Sequence, residues 1–328
     1  MNDRAIGLLE QYDIELQHTR KGRGAIICDT AQGCLIFKEY TGNVEKLTLQ
    51  NLILKGILDR SGLSVERILP TKEDLLYVKD MDGITYILKT YVVGRECNIN
   101  DYSECINAVK MLAKLHKMME FTGEPFQSVP LCSQQKEYEK HNRELKHVRK
   151  FLRQRSQKTA FEIRMQDSYD YFYEQAQQIA EEWDRIPVTD GTEPAGCTFC
   201  HGDYQYHNIL KIDNEWFIIN FEKCLRDNPV RDLNLLLRKL LEKNNWSVSL
   251  GEELLKAYER ERSLSEMSRL NLYYRLAYPE KFWKIVNFYF NSPKAWIPGR
   301  NMEKLEKLIS QEEAKQTFLR TVFPERKG

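Results

Sequence analysis

The chain has 328 residues, of which 42% are hydrophobic, so it can bury a large core as one two-lobed domain or two ordinary ones. Its 49 basic and 48 acidic residues leave a net charge of +1, which gives no reason to expect nucleic acid or an anionic membrane as the main partner. The opening MNDRAIGLLEQYDIE lacks a secretory-signal pattern, and no apolar run is long enough to span a bilayer, so we expect synthesis and folding in the cytoplasm.

The first part of the chain, 1–94, is predicted to be rich in β-strands. Its first residues, up to about residue 20, are mixed in character and are predicted to be helical. AIICDT and CLIFKEY then predict two strands joined by a glycine-containing turn. TGNVEKLTLQNLILKGILDRSG predicts one helix of about four turns with Asn43 as its N-cap. LLYVKD and ITYILKTYVV, on either side of Asp82-Gly83, predict further strands, so we expect an α+β lobe.

From residue 95 to residue 328 the chain is predicted to be mainly helical. AVKMLAKLHKMM is amphipathic, and the basic run HNRELKHVRKFLRQRSQK is typical of a solvated helix face. Apolar residues at spacings of three and four predict a helix stripe that packs in a core: Phe161, Met165, Tyr169, Phe172, Ala176, Ile179 and Trp183. A loop is predicted at 186–197, followed by short strands in TFCHGD, ILKID and EWFIINF and by helices from Arg231 onwards.

Eight cysteines are present, and we expect them to be reduced and mostly buried thiols. Cys197 and Cys200 form the one C-x-x-C pair. A structural zinc site needs about four ligands, and no second spaced pair of Cys or His accompanies this one. The pair also precedes a predicted strand end, whereas a redox motif belongs at a helix start. We therefore interpret both residues as structural.

The stretch HGDYQYHNIL carries the clearest chemical signal. Phosphoryl transfer requires a held nucleotide, a held metal ion and an oriented acceptor hydroxyl. A carboxylate beside that hydroxyl can take its proton, and a side-chain amide a few residues later can help to hold a metal ion. Asp203 and Asn208, five residues apart across a predicted loop, suit these two roles.

With this motif in its context, the chain resembles the aminoglycoside phosphotransferase and choline kinase group, whose fold is related to that of protein kinases. Within that group it is most similar to the bacterial spore coat protein S family, through HGDYQYHNIL, PVRDLNLLLRK and LAYPEKFWKIVNFYFNSPKAW. The resemblance implies a protein-kinase-like fold of the α+β class, with a small nucleotide-binding lobe at 1–94 and a large catalytic lobe at 95–328. It also implies ATP and Mg²⁺ as cofactors, an acceptor hydroxyl, and other spore coat proteins as partners.

The resemblance assigns roles to residues around the motif. Asp203 is similar to the catalytic base, Asn208 to the metal-binding amide, and His201 to a residue that shapes the loop. Lys38 resembles the strand lysine that holds the α- and β-phosphates; the alternative is an ordinary exposed strand lysine. Asp232 resembles an aspartate that braces the catalytic loop, and capping of the following helix explains it equally well.

Four further residues are candidates for contact with the nucleotide. Gly22 and Gly24 would form a flap over the phosphates, although G-x-G is also typical of an ordinary turn. Tyr91 and Val93 resemble the hinge whose backbone groups would meet adenine.

Two departures from the family pattern bear on catalysis. Asn220 stands where the family has the aspartate that ligates magnesium, and Mg²⁺ favours charged oxygen ligands. Lys38 also lacks a mid-helix glutamate as its partner, since Glu45 lies in the first turn, where the helix dipole explains it. Glu222, two residues after Asn220, would supply the missing carboxylate on the same side of an extended chain; alternatively it pairs with a nearby Lys or Arg.

Two functions therefore remain open, and a third is distant. The first is a kinase-like spore coat protein whose phosphoryl transfer is impaired or absent because Asn220 replaces the metal-binding aspartate. The alternative is an active ATP-dependent phosphotransferase acting on a hydroxyl of a small molecule or protein, with Asn208 and Glu222 as metal ligands. The third is a metal or redox protein that uses Cys197 and Cys200. The sequence does not identify an acceptor.

Overall fold

The structure is a computed structural model that describes residues 3–22, 24–60, 62–186, 197–291 and 298–324. The chain divides into two compact units. One consists of Met1–Pro130 and Ala195–Asp232, and the other of Leu131–Pro194 and Leu233–Gly328. The predicted boundary at residue 94 falls inside the first unit and stays a prediction.

The first unit is built on an antiparallel six-stranded sheet in the order β1-β2-β3-β7-β5, with β6 paired to β7. Its strands are β1 (Leu16–Gly22), β2 (Ala25–Thr30), β3 (Gly33–Glu39), β5 (Ile68–Leu69), β6 (Val78–Lys79) and β7 (Thr85–Thr90). The helix α1 (Val44–Asp59) follows β3, and the Asn43 side chain accepts a hydrogen bond from the Lys46 amide. The predicted strands at AIICDT and CLIFKEY and the predicted N-cap are thus confirmed.

Two predictions for this region are wrong in part. A 3₁₀ helix covers Asp3–Gln11, but the expected helix does not continue, because Leu16–Gly22 pairs with β2 as an edge strand. This strand is almost entirely exposed, so it carries no apolar alternation that would reveal it. LLYVKD contributes only Val78–Lys79 to a strand. The strand ends after Lys79 because the Asp80 side chain accepts the amides of Asp82 and Ile84 and begins the turn.

The core of the sheet forms from alternate residues of its central strands. Phe37 and Leu88 are fully buried and lie with Tyr86 in one apolar cluster. Leu9 and Tyr12, from the N-terminal 3₁₀ helix and the residue after it, pack into the same cluster. On α1, the buried apolar residues are Leu47, Ile53, Leu54 and Ile57.

The rest of the first unit positions two loops. A four-stranded sheet has the order β4-β12-β11-β8, and a three-stranded sheet has the order β13-β10-β9. Their members are β4 (Ser64–Val65), β8 (Arg95–Glu96), β9 (Glu120–Phe121), β10 (Cys197–Cys200), β11 (Ile209–Ile212), β12 (Glu215–Ile218) and β13 (Leu225–Arg226), with the helix α2 (Tyr102–Met118) after β8. One loop joins β10 to β11, and the other follows β12.

The second unit is helical, as predicted. It contains α3 (Gln134–Gln154), α4 (Ala160–Asp184), most of α5 (Val230–Lys243), α6 (Val248–Glu261), α7 (Glu266–Ala277), α8 (Glu280–Asn291), α9 (Pro298–Ser310) and α10 (Glu312–Val322). The apolar stripe lies on α4 and is buried, except that Trp183 is half-buried. Most of the predicted loop at 186–197 lies outside the described residues. No helix in the described ranges is long and apolar enough to cross a membrane.

Candidate active site

The loop that carries the HGD motif is anchored by a buried carboxylate. Asp232, in the first turn of α5, is fully buried and accepts the His201 and Gly202 amides at 2.6 and 2.9 Å. Burial would raise the pKa of Asp232, but the hydrogen bond and charge of His116, together with His201 and the Gly202 amide, outweigh burial and hold the pKa below its usual value. The start of α5 is satisfied separately, since the Asn228 side chain accepts the Val230 amide. The carboxylate of Asp232 therefore holds the loop backbone.

His201 occupies the inside of the same loop. Its Nδ1 accepts the Asp203 amide at 3.1 Å, so its Nε2 carries the proton and donates to the Ile219 carbonyl at 2.9 Å. The ring is fully buried, and burial lowers its pKa, which keeps it neutral. His201 thus joins the HGD loop to the segment that follows β12.

Asp203 and Asn208, the two residues of the motif with predicted chemical roles, lie in contact. The Asn208 amide donates to the Asp203 carbonyl at 2.8 Å. The Asp203 carboxylate accepts hydrogen bonds from Lys223 at 2.9 Å and from Gln205 at 2.8 Å. Both oxygens of the candidate base therefore already have partners.

Asn220 is held in the left-handed backbone region, with φ 68° and ψ 56°, which Asn tolerates better than most residues. Its amide nitrogen donates to Asn208 Oδ1 at 2.8 Å, and its Oδ1 accepts from Lys89 at 3.1 Å. The same Lys89 ammonium donates to Glu66 and to Glu222, each at 2.9 Å. Asn220 therefore links the HGD loop to a buried lysine on β7.

Glu222 is the ion-pair partner of Lys38. One Glu222 oxygen accepts from both Lys38 and Lys89 at 2.9 Å. Burial pushes the pKa of Glu222 upward, but the two ammonium groups outweigh burial and lower it to about 2. Glu45 lies in the first turn of α1, where its charge favours the helix start. The partner that the sequence did not locate for Lys38 thus comes from the segment after β12.

The remaining predicted residues lie on two connections of the six-stranded sheet. Gly22 pairs with Ala25 across the tight β1–β2 turn, and Gly24 has a φ of 70°. Tyr91 donates its amide to the Cys34 carbonyl at 2.9 Å, and Val93 is 64% exposed. Within the described ranges, none of these predicted residues hydrogen-bonds to the network that joins Lys38 to Asp203.

Sequence reasoning missed Lys89, Glu66 and Lys223. A signal for Lys89 was present, because it is the one charge within the apolar run ITYILKTYVV. A central strand whose four inner residues are buried must pair such a charge, and Glu66, 1% exposed, provides the pair. Glu66 and Lys223 lie in short polar segments and gave no comparable signal.

Each side chain that would ligate a divalent metal already accepts a hydrogen bond. Asn208 Oδ1 accepts from Asn220, Asn220 Oδ1 from Lys89, and Glu222 from two lysines. The charges of Lys38 and Lys89 also balance those of Glu66 and Glu222. Mg²⁺ requires near-octahedral, preferably anionic oxygen ligands, so this donor set does not fit it. No group of three or more His, Cys, Asp or Glu within the described residues is placed to hold a metal ion.

The C-x-x-C pair lies at the two ends of β10, and only the side chain of its second residue is described. The Cys200 thiol is buried and lies 3.3 Å from the Asn228 carbonyl oxygen. The Cys197 side chain lies outside the described residues.

Comparisons with known proteins place this site in a family and a fold. A family model described as "Spore coat putative kinase YutH" matches residues 6–322. Spore coat protein S of Bacillus subtilis (strain 168) is 32% identical over 123 residues, which are 37% of this chain and 35% of that protein. The chain therefore matches about a third of the length of this curated relative.

Solved structures share the fold across most of the chain. An aminoglycoside phosphotransferase from Alicyclobacillus acidocaldarius subsp. acidocaldarius DSM 446 has a TM-score of 0.81 at 18% identity, covering 97% of this chain and 94% of that one. Spectinomycin phosphotransferase, solved with ADP and spectinomycin, has a TM-score of 0.68 at 14% identity, with 96% and 98% covered. Amicoumacin kinase, solved with AMP-PNP and Ca²⁺, has a TM-score of 0.63 at 12% identity, with 96% and 94% covered. The predicted α+β kinase-like fold is confirmed.

Proposed function

The chain belongs to the YutH family of spore coat kinase-like proteins, and on that premise we propose that it serves the coat as a binding or structural protein with impaired or absent phosphoryl transfer. One observation carries the proposal: the Lys89 ammonium donates to Asn220 and Glu222, two of the three side chains, with Asn208, that were predicted to ligate magnesium. Other coat proteins are its proposed partners, by analogy with the coat relative that it matches.

The state of Asp203 supports the same proposal. A catalytic base must reach the acceptor hydroxyl directly, at roughly 2.6–3.2 Å. One Asp203 oxygen accepts from Lys223 and the other from Gln205, so an acceptor hydroxyl would have to share an oxygen with one of these donors. Without a metal ion to bridge the phosphates, the developing charge would also lack its main stabiliser.

An active ATP-dependent phosphotransferase is the second candidate, and the HGD loop favours it. Asp203 and Asn208 are held together, and Asp232 anchors the loop backbone, as transfer to a hydroxyl of a small molecule or protein would require. Lys223 is also 67% exposed and is free to turn away from Asp203. In this candidate ATP and Mg²⁺ are the cofactors, and Lys38 with the Gly22–Gly24 turn and the Tyr91–Val93 segment holds the nucleotide.

Phosphate release from ATP separates the two candidates. We expect the full chain, assayed with Mg²⁺ or Mn²⁺, to release phosphate no faster than its Asp203→Asn variant. Asp213→Asn, on the exposed β11–β12 turn, is the matched control because it makes the same chemical change away from the site. Metal-dependent release that Asp203→Asn lowers by about a hundredfold, and Asp213→Asn does not, would establish the active enzyme instead.

A further inference from the structure

We infer that Lys89 is the resident cation of this site, its ammonium holding Asn220 and Glu222 in place of a divalent metal ion. The inference rests on the proposed loss of metal-dependent transfer and names its cause. It also explains Asn220 as a hydrogen-bond partner of Lys89, and not only as the loss of an aspartate.

The surroundings of Lys89 provide the hydrogen-bond acceptors and the negative charge that a buried ammonium requires. An ammonium has three N–H groups, and the three acceptors are Glu66 at 2.9 Å, Asn220 at 3.1 Å and Glu222 at 2.9 Å. Lys89 is only 3% exposed, so water does not replace any of them. Burial disfavours the charged form, but Glu66 and Glu222 outweigh it and raise the pKa of Lys89 above its usual value. The cation is therefore fixed in place.

The direction of each hydrogen bond explains why the residue is Asn220. Lys89 can only donate, so it must face Oδ1 of Asn220, which leaves the Asn220 nitrogen to donate to Asn208 Oδ1. The Asn208 nitrogen then donates to the Asp203 carbonyl, which can only accept. An aspartate at position 220 could accept from Lys89 but would place a carboxylate oxygen against Asn208 Oδ1. Asn220 is thus the side chain that both accepts from Lys89 and donates to Asn208.

Charge balance excludes a second cation beside Lys89. Lys38 and Lys89 carry two positive charges, and Glu66 and Glu222 carry two negative charges. A divalent ion on Asn220 and Glu222 would stand next to a buried ammonium without any surplus anionic charge to offset it. Changing Asn220 alone to aspartate adds one negative charge, but the Lys89 ammonium would still donate to that side chain and to Glu222, so we expect no metal site to form.

Mn²⁺ binding, measured by electron paramagnetic resonance on the full chain without nucleotide, tests the assignment. The variants are Asn220→Asp, the pair Glu66→Gln with Lys89→Met, and that pair combined with Asn220→Asp. The pair removes one charge of each sign, and glutamine at position 66 still accepts the Phe221 amide that Glu66 accepts at 2.9 Å. Circular dichroism and gel filtration establish that each variant is folded.

We expect no saturable Mn²⁺ site in the wild type or in Asn220→Asp, and one site in the triple variant, at least about tenfold tighter than in the pair. A folded triple variant that binds no Mn²⁺ would overturn the assignment, because removing Lys89 would then not open the site. Nuclear magnetic resonance of the wild type gives a test that needs no variant. We expect Mn²⁺ to leave the side-chain amide signals of Asn208 and Asn220 sharp, and their broadening would overturn the assignment.

These outcomes are distinct from those of the phosphate-release assay. Wild-type protein that binds Mn²⁺ at Asn220 but releases no phosphate would overturn the role of Lys89 and leave the proposed loss of transfer standing. Metal-dependent phosphate release would overturn the proposed function, and the phosphate-release assay detects it separately from Mn²⁺ binding.

Discussion

Glu222 places one carboxylate oxygen within 2.9 Å of two ammonium groups, those of Lys38 and Lys89. Its side chain is 28% exposed, so these charges interact in a partly desolvated setting where they are stronger than at a free surface. The carboxylate thereby takes the role that a mid-helix glutamate would take toward Lys38. Glu222 thus forms ion pairs with Lys38 and Lys89, and these ion pairs compete with ligation of a metal ion.

The lowered pKa of Glu222 predicts a specific acid sensitivity. Because its pKa falls from 4.5 to about 2 on folding, its stabilising effect is complete above about pH 4.5 and is lost as the pH falls toward 2. We expect the difference in unfolding free energy between wild type and Glu222→Gln to shrink by about 2 kcal/mol from pH 6 to pH 3. Urea denaturation at both pH values measures it. A difference that stays constant would contradict the ion pairs.

The loop between β10 and β11 shows how one element depends on another. Gly202 has a φ of 77°, and a Cβ atom there would lie 2.1 Å from the Lys223 carbonyl oxygen. The HGD loop therefore approaches the segment after β12 more closely than any side chain allows. His201 also links the same two segments through its hydrogen bond to the Ile219 carbonyl.

Replacing Gly202 with alanine should therefore lower the free energy of unfolding by more than the left-handed backbone alone explains. Gly83 is the matched control, because it has a φ of 79° and open space where a Cβ atom would stand. We expect Gly83→Ala to lose about 1–2 kcal/mol of unfolding free energy. Gly202→Ala should lose about 2 kcal/mol more, because the Lys223 backbone must shift. Equal losses in urea unfolding would show that the close approach is absent.

At the scale of the whole molecule, most of the cysteines whose side chains are described pack in the interior. Of the seven cysteines whose side chains are described, five are buried: Cys28, Cys97, Cys105, Cys200 and Cys224. Burial raises the pKa of Cys28 and Cys105 to about 11 and that of Cys97 to about 12. The expectation of mostly buried thiols is confirmed for these residues.

These five thiols should resist labelling while the chain is folded. Maleimide reacts with the exposed thiolate, and both access and ionisation are suppressed by burial. At pH 8 we expect each to react at least about a hundredfold more slowly in the native chain than in urea, as measured by mass spectrometry of the labelled peptides. Rapid native labelling of any of the five would place that cysteine at the surface and not in the core.

The sequence by itself determined the strands AIICDT and CLIFKEY, the helix that follows them, the α+β class and the HGD motif, because these follow from local periodicity, turn residues and spacing. Through its resemblance to the family, it also predicted that Asn220 replaces a metal-binding aspartate. Only the tertiary structure decided what Asn220 contacts. Lys89 lies 23 residues from Glu66 and 133 from Glu222 in the chain, and no local pattern connects them.

The edge strand β1 and the partner of Lys38 escaped prediction for the same reason. An edge strand and a buried charge both need partners, and the fold can supply those partners from residues at any separation along the chain. A charged residue inside an apolar strand, such as Lys89, indicates that a partner of opposite charge must lie nearby in the fold. Which residue provides that partner is determined only by the folded structure.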